Sequence, residues 1–507
     1  MSDYSIERLG GDLARRIDLC QKRMEERDYS AENVFRPADY EWYGDWEGRA
    51  LLAMSCLKRY YGKPCSNYEP CWRRLDSALN EQGYFGPLFD MHGVNEQQLA
   101  GNGWYLRALC TEYEMEGTPS LKKKIEDVVH NLFLRNSAVF SGYPVNENGN
   151  NGVGYAAGTL SKTIGNWKLS SDSGCMYISL DGLTHAYSIL RDQALEAFIR
   201  RMIAQFASTD LHKKNFQAHA FLSGVRGLVR FAETVHDAAV FRLAQQYFAF
   251  YAETSMNYVY ENYGVLNSPD SSEGCAVIDA AMLCAALYRY THDAMYLALY
   301  RKIYVNAIRA NQRSNGGMGC DVGIGSNQID YIASVPEFTE ATWCCTMRGC
   351  EGMTEFARNL YCVNGDTIVP MLLNDNTATF FHGAVEIEEK TDYPYDGKTV
   401  FSVVKCDRPF SLQLFLFDGY EVSGVREGQS VFIDRPCTVT VYHSGKDRVR
   451  TIDGKRGYEH GDMILGEAVS ATADRYYVID DRKLQQLVSI SEIDIRSLPS
   501  FRQKLLF

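Results

Sequence analysis

Six segments between residues 44 and 366 share one pattern, a small or polar opening followed by an amphipathic helical repeat. They begin at Gly44, Gly101, Met176, Ala218, Glu273 and Cys344. The starts lie roughly 40 to 75 residues apart, which leaves room for a second helix and a loop in each interval. A chain with this recurrence is expected to fold mainly into paired helices.

The segments between these six have the wider polar faces expected of outer helices. They include PSLKKKIEDVVHNLF, QALEAFIRRMIAQFA, AAVFRLAQQYFAFYAE and AMYLALYRKIYVNAI. Apolar helices rich in small residues that alternate with more polar ones predict two concentric rings, an (α/α)6 barrel. An open array of six helical hairpins is the alternative that this pattern leaves.

After Asp366 the sequence changes to short runs in which apolar and polar residues alternate. TVFSVVKC and QSVFIDRPCTVTVYH are examples, and glycine, proline and aspartate separate the runs. Period-two alternation broken by turn residues indicates β-strands, and several of them over roughly 120 residues predict a β-sandwich. We therefore predict a mainly α protein, with a barrel domain over residues 1–365 and a β-sandwich domain with a C-terminal tail over residues 366–507.

Charge and cysteine content exclude several functional classes. The 507 residues carry a formal net charge of −12, which argues against a nucleic-acid or anionic-membrane partner because such surfaces need clustered Lys and Arg. No stretch approaches the ~20 apolar residues of a spanning helix, and the first residues lack the apolar region of a signal peptide. The 15 scattered cysteines are typical of reduced thiols, so we expect a cytoplasmic protein. The sequence leaves open whether the chain forms a homodimer.

Two short motifs place metal-ligating side chains at predicted helix starts. SSEGCAVID contains Glu273 and Cys275, and the pair Cys344 and Cys345 follows 69 residues after Cys275. Successive inner helices of a ring open toward the same end, so these side chains can meet. One carboxylate and three thiolates form a tetrahedral set that suits Zn2+. Buried thiols without a metal are the alternative, because the motifs are short and cysteines are numerous.

The same motifs resemble those of the β-L-arabinofuranosidase superfamily, glycoside hydrolase family 127 and its relatives. That family carries a Glu-x-Cys element on one barrel helix and a Cys-Cys element on the next. The resemblance implies that Glu273, Cys275, Cys344 and Cys345 bind zinc and that Cys344 is also the nucleophile. AHAFLSGVRGL is similar to the helix with the family's active-site histidine, which implies that role for His219. TDYPYDGKTVFSVV is similar to the start of the family's β-sandwich.

The sequence departs from the family where a sugar should bind. TMR follows the double cysteine in place of Pro-Pro-Asn, and Asn102 and Tyr177 stand near two family histidines. Arg348, the last residue of TMR, is expected to meet an acidic substrate group or a structural carboxylate. The predicted substrate contacts are His219, Asp45, Tyr177 and Asn102.

Retaining hydrolysis also needs a carboxylic acid that protonates the leaving oxygen and later activates water. Glu261, on the loop that leads into the zinc motif, is the candidate, and a solvated loop glutamate is the alternative reading of this residue. The other carboxylates near the motifs are Asp270, Glu337 and Glu340. Cys320, on a glycine-rich loop, is a spare thiol that can replace one of the four ligands.

These features predict a retaining glycoside hydrolase in which a zinc-bound thiolate acts on a small oligosaccharide or glycoside. β-L-Arabinofuranoside is the substrate that the resemblance implies. Two alternatives stay open: a carboxylate-based hydrolase or lyase with structural zinc, and a non-catalytic carbohydrate-binding protein whose zinc stabilises the fold. Retention of both cysteine motifs favours the first.

Overall fold

The computed structural model describes residues 4–36, 41–150, 158–257, 259–268, 271–322, 331–334, 340–414, 419–424, 430–452, 455–469, 488–489 and 502–505. Helices dominate up to residue 358 and strands dominate after it, so the predicted change from helical to β structure is confirmed. No helix within these ranges has the length and apolar character needed to cross a membrane.

The helices include the inner and outer segments expected from the sequence. Their bounds are α1 Gly11–Met24, α2 Ala31–Val34, α3 Asp45–Tyr61, α4 Tyr68–Ala78, α5 Glu96–Glu116, α6 Pro119–Asp127, α7 Ile178–Leu190, α8 Gln193–Ala207, α9 Ala218–Val235, α10 Ala238–Thr254, α11 Gly274–Thr291, α12 Ala294–Lys302, α13 Arg309–Asn311 and α14 Cys345–Arg358. π-Helical turns extend α6 over Val128–Leu134 and α12 over Ile303–Ile308.

Six of these helices contact one another in a closed order. α3 contacts α5, α5 contacts α7, α7 contacts α9, α9 contacts α11, α11 contacts α14, and α14 contacts α3 again. Each of the six also contacts a helix outside the six, which is α4, α6, α8, α10 or α12 for the first five and α1 for α14, and α3 contacts α1 and α2 as well. The six are the segments recognised in the sequence, although α5 begins earlier than expected, at Glu96. The helix nearest the N-terminus thus completes the set of pairs.

A repeated two-residue connection turns three of the inner helices into their partners. A residue with positive φ ends the inner helix, and the aspartate after it caps the partner helix through its side chain. The connections are Arg191-Asp192, His236-Asp237 and His292-Asp293. The left-handed residue reverses the chain, and the carboxylate accepts hydrogen bonds from backbone N–H groups that lack a helical partner. The paired helices therefore run antiparallel.

Glycines allow the inner helices to approach closely. A Cβ on Gly48 of α3 would lie 2.4 Å from the backbone nitrogen of Tyr105 on α5. A Cβ on Gly103 of α5 would lie 2.6 Å from the Cα of Ser179 on α7. Any side chain at either position would force the helices apart. The small residues that mark these segments therefore have a packing role.

The strands divide at residue 340 into two groups. Before it lie β1 Tyr4–Leu9, β2 Val94–Asn95, β3 Leu160–Ile164, β4 Trp167–Ser170, β5 Ser271–Glu273, β6 Cys320–Val322 and β7 Tyr331–Ser334. After it lie β8 Tyr361–Asn364, β9 Thr367–Pro370, β10 Asn376–Phe380, β11 Val385–Thr391, β12 Gly397–Cys406, β13 Phe410–Gln413, β14 Tyr420–Ser423, β15 Ser430–Ile433, β16 Cys437–Gly445, β17 Asp447–Ile452, β18 Lys455–His460, β19 Met463–Val469, β20 Val488–Ser489 and β21 Arg502–Leu505.

Two sheets form most of the β region. One has the strand order β1-β10-β11-β12-β16-β14, and the other has the order β15-β13-β9-β8. β11 and β12 alternate buried and more exposed residues along most of their length, as strands with one packed face do. This alternation is the feature that the sequence shows after Asp366.

The position of β1 bears on the predicted division of the chain into a helical unit and a β unit, whose boundaries stay a prediction. Residues 1–365 were expected to form the helical unit, but Tyr4–Leu9 pairs antiparallel with β10, with Tyr4 opposite Phe380. The physical reason is the period-two alternation in YSIERL, where Tyr4 and Ile6 are less exposed than the residue that follows each of them. The segment closest to the N-terminus therefore belongs to the β region.

A third sheet connects the two regions. Its strand order is β17-β18-β19-β21-β7-β6-β5, and β20 pairs with β19 beside this path. The edge strand β5 leads directly into α11 and pairs with β6, with Glu273 opposite Cys320. The sheet therefore extends from the β region to the start of α11, where the sequence predicts the zinc site.

Candidate metal centre and active site

The predicted zinc residues lie at the N-termini of two neighbouring helices. Glu273 is the N-cap residue of α11, and Cys275 lies in its first turn. Cys344 is the N-cap residue of α14, and Cys345 is its first helical residue. Because α11 contacts α14, the four side chains meet. Helix N-termini favour anionic groups, since their first backbone N–H groups have no partner within the helix.

The geometry of this thiol cluster, Glu273, Cys275, Cys344 and Cys345, fits a metal site. One donor atom from each residue lies within 4.8 Å of all the others. The Sγ of Cys345 is 3.6 Å from that of Cys275 and 3.4 Å from that of Cys344. A tetrahedral ion with bonds of about 2.3 Å to sulfur separates its sulfur ligands by about 3.8 Å. Both the donor types and the spacing therefore suit a bound metal ion.

The thiols differ in exposure and in protonation. Cys275 and Cys345 are buried, whereas Cys344 is partly exposed. Hydrogen bonds from the thiols of Cys275, Cys320 and Cys344 hold the pKa of Cys345 well below its usual range. Burial raises the pKa of Cys275, and burial together with the Cys345 charge raises that of Glu273. Without a metal, the protein alone thus favours one thiolate in the cluster.

Arg49 extends to the thiol cluster from α3, the helix that follows α14 in the closed order. Its Nη1 lies 3.6 Å from the Sγ of Cys275 and 3.2 Å from Nε2 of His219. Its Nε donates to Asp45 Oδ1 at 2.8 Å. The predicted substrate residues Asp45 and His219 therefore come together near the cluster, where both hold Arg49.

His219 is engaged on both ring nitrogens. Nδ1 lies 2.6 Å from Asp279 Oδ2, and the ring stacks on Trp104 with centroids 5.5 Å apart. Burial lowers the pKa of His219 to about 4, so the ring is neutral at physiological pH. Arg49 can only donate, so Nε2 is the acceptor and Nδ1–H donates to Asp279. This arrangement agrees with an ordering role for His219 rather than a direct hydrogen bond from its ring to a sugar.

A network of buried ion pairs adjoins the thiol cluster inside the ring. Asp279 accepts from Arg226 Nη1 at 2.8 Å and from Arg348. Glu351 accepts from Arg107 at 2.7 Å and from Arg226 at 3.2 Å. The members of this interior ion network are Arg107, Asp181, Arg226, Arg230, Asp279, Arg348 and Glu351. Arg348 therefore pairs with structural carboxylates, which is the second of its two predicted roles.

The candidate acid/base residues occupy different surroundings. Glu261 is 1% exposed, and its charge contributes to the raised pKa of buried Tyr251 on α10. Glu340 accepts from Arg23 Nε at 2.7 Å and from Thr346 at 3.0 Å, so it anchors the start of α14 to α1. Asp270 and Glu337 lie outside the described residues.

The other two predicted substrate contacts lie in well-packed positions. The Asn102 amide donates to the carbonyls of Gln98 and Phe85 at 2.9 and 3.1 Å and accepts from the Phe85 backbone. Tyr177 is buried, with its ring stacked on Phe206 at 4.4 Å and edge-on to Tyr143. Neither residue has a contact with the thiol cluster in the described part of the chain, and their sugar-binding role stays a prediction.

Asp172 is a residue that the sequence reasoning missed. Asp172 is partly exposed, and its carboxylate accepts a hydrogen bond from the Gly158 backbone N–H at 3.2 Å. The carbonyl of the next residue, Ser173, accepts from the backbone N–H of Gln217. The Gln217 side chain in turn donates to Glu273 at 2.7 Å. Burial of the Asp172 carboxyl, with a contribution from Asp45, raises its pKa to about 6, and its charge helps to raise the pKa of Glu273. Its place just before an inner helix, like that of Glu273, is the signal that could have identified it.

Comparison with solved structures identifies the fold. The structure aligns with a GH127 β-L-arabinofuranosidase from Geobacillus stearothermophilus T6 at a TM-score of 0.63 and 13% identity, over 93% of this chain and 87% of the other. A GH127 β-arabinofuranosidase aligns at 0.62 and 14% identity over 93% and 85%, and a glycoside hydrolase at 0.62 and 12% identity over 92% and 82%. No protein-family model and no curated protein sequence matches the chain.

The chain therefore has the fold of GH127 structures along nearly its whole length. This agreement confirms, for the fold, the resemblance that the Glu-x-Cys and Cys-Cys motifs indicated. Identities of 12 to 14% are low enough that side-chain roles must be argued from the residues of this chain.

Proposed function

We propose that this chain is a retaining glycoside hydrolase of the GH127-like superfamily whose nucleophile is the thiolate of Cys344. The observation that carries the proposal is the convergence of one carboxylate and three thiols within 4.8 Å, at the N-termini of two adjacent helices. The likeness of the fold to GH127 structures supports it independently. The inner helices and their partners are proposed to form an (α/α)6 barrel, followed by a β-sandwich.

The metal proposed for the site is zinc, held by Glu273, Cys275, Cys344 and Cys345. The fit rests on the donor set, because sulfur and oxygen ligands at this spacing match the borderline softness of the ion. Bound zinc would lower the pKa of the thiols and keep them as thiolates at neutral pH. Cys275 and Cys345, which are buried, serve only as ligands, and the more exposed Cys344 is available to a substrate.

In the first step, the Cys344 thiolate attacks the anomeric carbon. The bond from that carbon to the leaving oxygen breaks with its electron pair, and a carboxylic acid gives its proton to this oxygen. A covalent thioglycoside remains on Cys344. Two carboxyls are candidates for the acid: Glu261, from the sequence, and Asp172, whose pKa of about 6 suits proton donation near neutral pH.

In the second step, the same carboxylate takes a proton from water as the water oxygen attacks the anomeric carbon. The bond between carbon and sulfur breaks, and the thiolate of Cys344 is regenerated. Two successive inversions give net retention of configuration. The sulfur nucleophile thus takes the place of the second carboxylate of most retaining enzymes.

The proposed substrate is a small oligosaccharide or glycoside, with β-L-arabinofuranoside as the default. This choice comes from the GH127 β-L-arabinofuranosidase with the similar fold. The free state of all 15 cysteines supports a reducing, cytoplasmic setting.

The test combines metal analysis, a substrate screen and covalent trapping. Protein purified without added metal is expected to contain one zinc per chain, and aryl β-L-arabinofuranoside, other aryl pentosides and aryl deoxyglycosides are screened for turnover. A mechanism-based glycoside inhibitor should label Cys344. Cys350→Ser is the matched control, because Cys350 is a buried thiol on the same helix that bonds Cys20 and the Thr346 carbonyl rather than a member of the thiol cluster.

The alternatives predict different results. Label on Glu261 or Asp172 would indicate a carboxylate-based hydrolase. Zinc content near one with no turnover of any glycoside would indicate a carbohydrate-binding protein with a structural metal. Zinc content near zero in folded protein would contradict the proposed site.

A further inference from the structure

Arg49 is a buried cation whose donors are directed by its neighbours toward the thiol cluster. It is 4% exposed, and its guanidinium carbon lies 4.4 Å from the centre of the Trp104 ring. Nε donates to Asp45, while Nη1 lies within hydrogen-bonding reach of both His219 and the Sγ of Cys275. A planar guanidinium with contacts on two edges and one face has little freedom to turn away from the sulfur.

The groups that hold Arg49 are themselves fixed. The acceptor Nε2 of His219 is available to Arg49 only because Nδ1–H donates to Asp279. Asp279 is in turn held by Arg226 and Arg348 of the interior ion network. A continuous series of hydrogen bonds therefore joins the network to the guanidinium that contacts Cys275.

The contact between Arg49 and Cys275 would offset negative charge at the proposed metal site. Three thiolates and one carboxylate around a divalent cation leave a net charge of −2, which is costly in a buried site unless positive groups lie close by. Among the described residues, Arg49 is the cationic side chain that hydrogen-bonds a sulfur of the cluster. A hydrogen bond from a guanidinium to a metal-bound thiolate withdraws electron density from the sulfur and offsets part of this charge.

We propose that Arg49 is a positioning residue of the metal centre: through its hydrogen bond to Cys275 it sets the affinity for zinc and the electron density on the ligand sulfur. The inference rests on the proposed zinc site and assigns a role in it to a residue that is not one of the four ligands. Asp45, His219 and Asp279 act through Arg49, since they orient its guanidinium. The role of His219 is thereby assigned to the metal centre.

The experiment measures metal binding rather than turnover. Full-length wild type, Arg49→Lys and Arg49→Met are stripped of metal, and zinc affinity is measured by competition with a chromophoric chelator. The same proteins are loaded with Co2+, and the sulfur-to-cobalt charge-transfer band is recorded. Arg16→Lys is the matched control, because Arg16 is a buried arginine of α1 that pairs with Asp12 and the Arg309 carbonyl and is not part of the hydrogen-bond series that holds Arg49.

Arg49→Met is expected to bind zinc ~10- to 100-fold more weakly than wild type. Its cobalt band should move to lower energy, because the sulfur lone pairs lose a hydrogen bond. Arg49→Lys keeps the charge without the planar fork, so it should lie between the two in both measurements. Arg16→Lys should keep the wild-type cobalt spectrum and a zinc affinity within about 3-fold of wild type, since it leaves Arg49 and the groups that orient it in place.

Two results would overturn the inference. One is wild-type affinity and an unshifted cobalt band in both Arg49 variants, or in Arg49→Lys alone if Arg49→Met does not fold. The other is an equal loss and an equal shift in Arg16→Lys, which would indicate general disturbance of the core. A wild-type protein that binds no zinc would overturn the proposed function as well, whereas zinc-binding wild type with unchanged variants overturns only the role of Arg49.

Discussion

The thiol cluster and the interior ion network lie side by side and both bury ionisable groups, but they balance charge in opposite ways. In the network, four arginines meet three carboxylates at distances of 2.6 to 3.4 Å for most pairs. Burial alone would raise the pKa of Asp279, yet Arg348, His219 and Arg226 hold it well below its usual range. The thiol cluster contains four acidic groups and, within the described ranges, a single hydrogen-bonded arginine.

This difference separates structural charge from functional charge. A buried group whose counter-ions are all supplied by the protein is explained by the fold. A buried set of acidic donors with few protein cations stays largely protonated in the free chain and can become fully charged only with a bound cation. The shortage of protein cations, rather than burial, therefore distinguishes the thiol cluster as the candidate metal site.

The largest expected effect comes from removing the proposed nucleophile of the thiol cluster. Cys344→Ser should lower kcat for the best aryl glycoside by about 10^3-fold or more, because the hydroxyl is a far weaker nucleophile than a thiolate. Steady-state kinetics and substrate binding by calorimetry provide the measurement. Cys350→Ser should retain near wild-type kcat, and an active Cys344→Ser would rule out the thiolate mechanism.

Removing a carboxylate from the interior ion network should lower the stability of the fold. Asp279→Asn leaves Arg226 and Arg348 without their shared carboxylate, and removal of one partner of a buried pair costs about 3–5 kcal/mol of unfolding free energy. Urea denaturation of the metal-loaded protein is the measurement. Glu355→Gln is a comparison variant whose parent ion pair with Arg358 is more exposed, and it should cost about 1 kcal/mol or less. Equal losses in the two variants would contradict the distinction.

Removal of the metal should lower the unfolding free energy of the protein through the thiol cluster and not through the interior ion network. Chelation of zinc should lower the unfolding free energy of the wild type by about 3–4 kcal/mol if free metal exceeds its dissociation constant by several hundred-fold. Cys275→Ser should show little further loss on chelation, because it has already lost a ligand. Differential scanning calorimetry with and without chelator measures both, and identical melting of loaded and stripped wild type would count against a bound metal.

The smallest effect concerns a third way of burying an acid, which is to protonate it. Burial raises the pKa of Glu389 to about 8, although Tyr361 and Asn376 donate hydrogen bonds to it. Because this folded pKa lies above the ordinary glutamate value of 4.5, the stability that the protonated carboxyl contributes is lost as pH rises from 4.5 toward 8 and does not change further above that pH.

Glu389→Gln should therefore gain on the wild type as pH rises. Between pH 6 and 7 the difference in unfolding free energy should shift by about 1 kcal/mol in favour of the glutamine variant. Urea titrations at several pH values test this shift. A pH-independent difference would show that Glu389 is ionised throughout.

The sequence predicted the parts of the molecule that are encoded locally. The six inner helices followed from helical periodicity and small residues, and the four cluster residues followed from two motifs at helix starts. Both signals lie within a few consecutive turns of chain. The fold of GH127 structures followed from the same motifs.

The remaining features depend on contacts between distant residues. Arg49 and Asp279 look like ordinary charges on amphipathic helices, and only the closed order of helices brings them together around His219. Asp172 lies on an irregular connection whose position has no periodic signal. β1 is a six-residue strand whose partner lies more than 360 residues further on, so no local pattern could indicate its sheet.

The place of β1 has a consequence for the order in which the molecule is made. Tyr4 of β1 pairs with Phe380 of β10. Because a ribosome adds about 5–20 residues per second, Phe380 is added on the order of 20 to 75 seconds after Tyr4. Throughout this interval β1 lacks its neighbouring strand, and α1 lacks α14. The nascent chain therefore keeps the edge of β1 and one face of α1 exposed until residues 345–380 have been made, and these residues complete the closed order of helices and the sheet together.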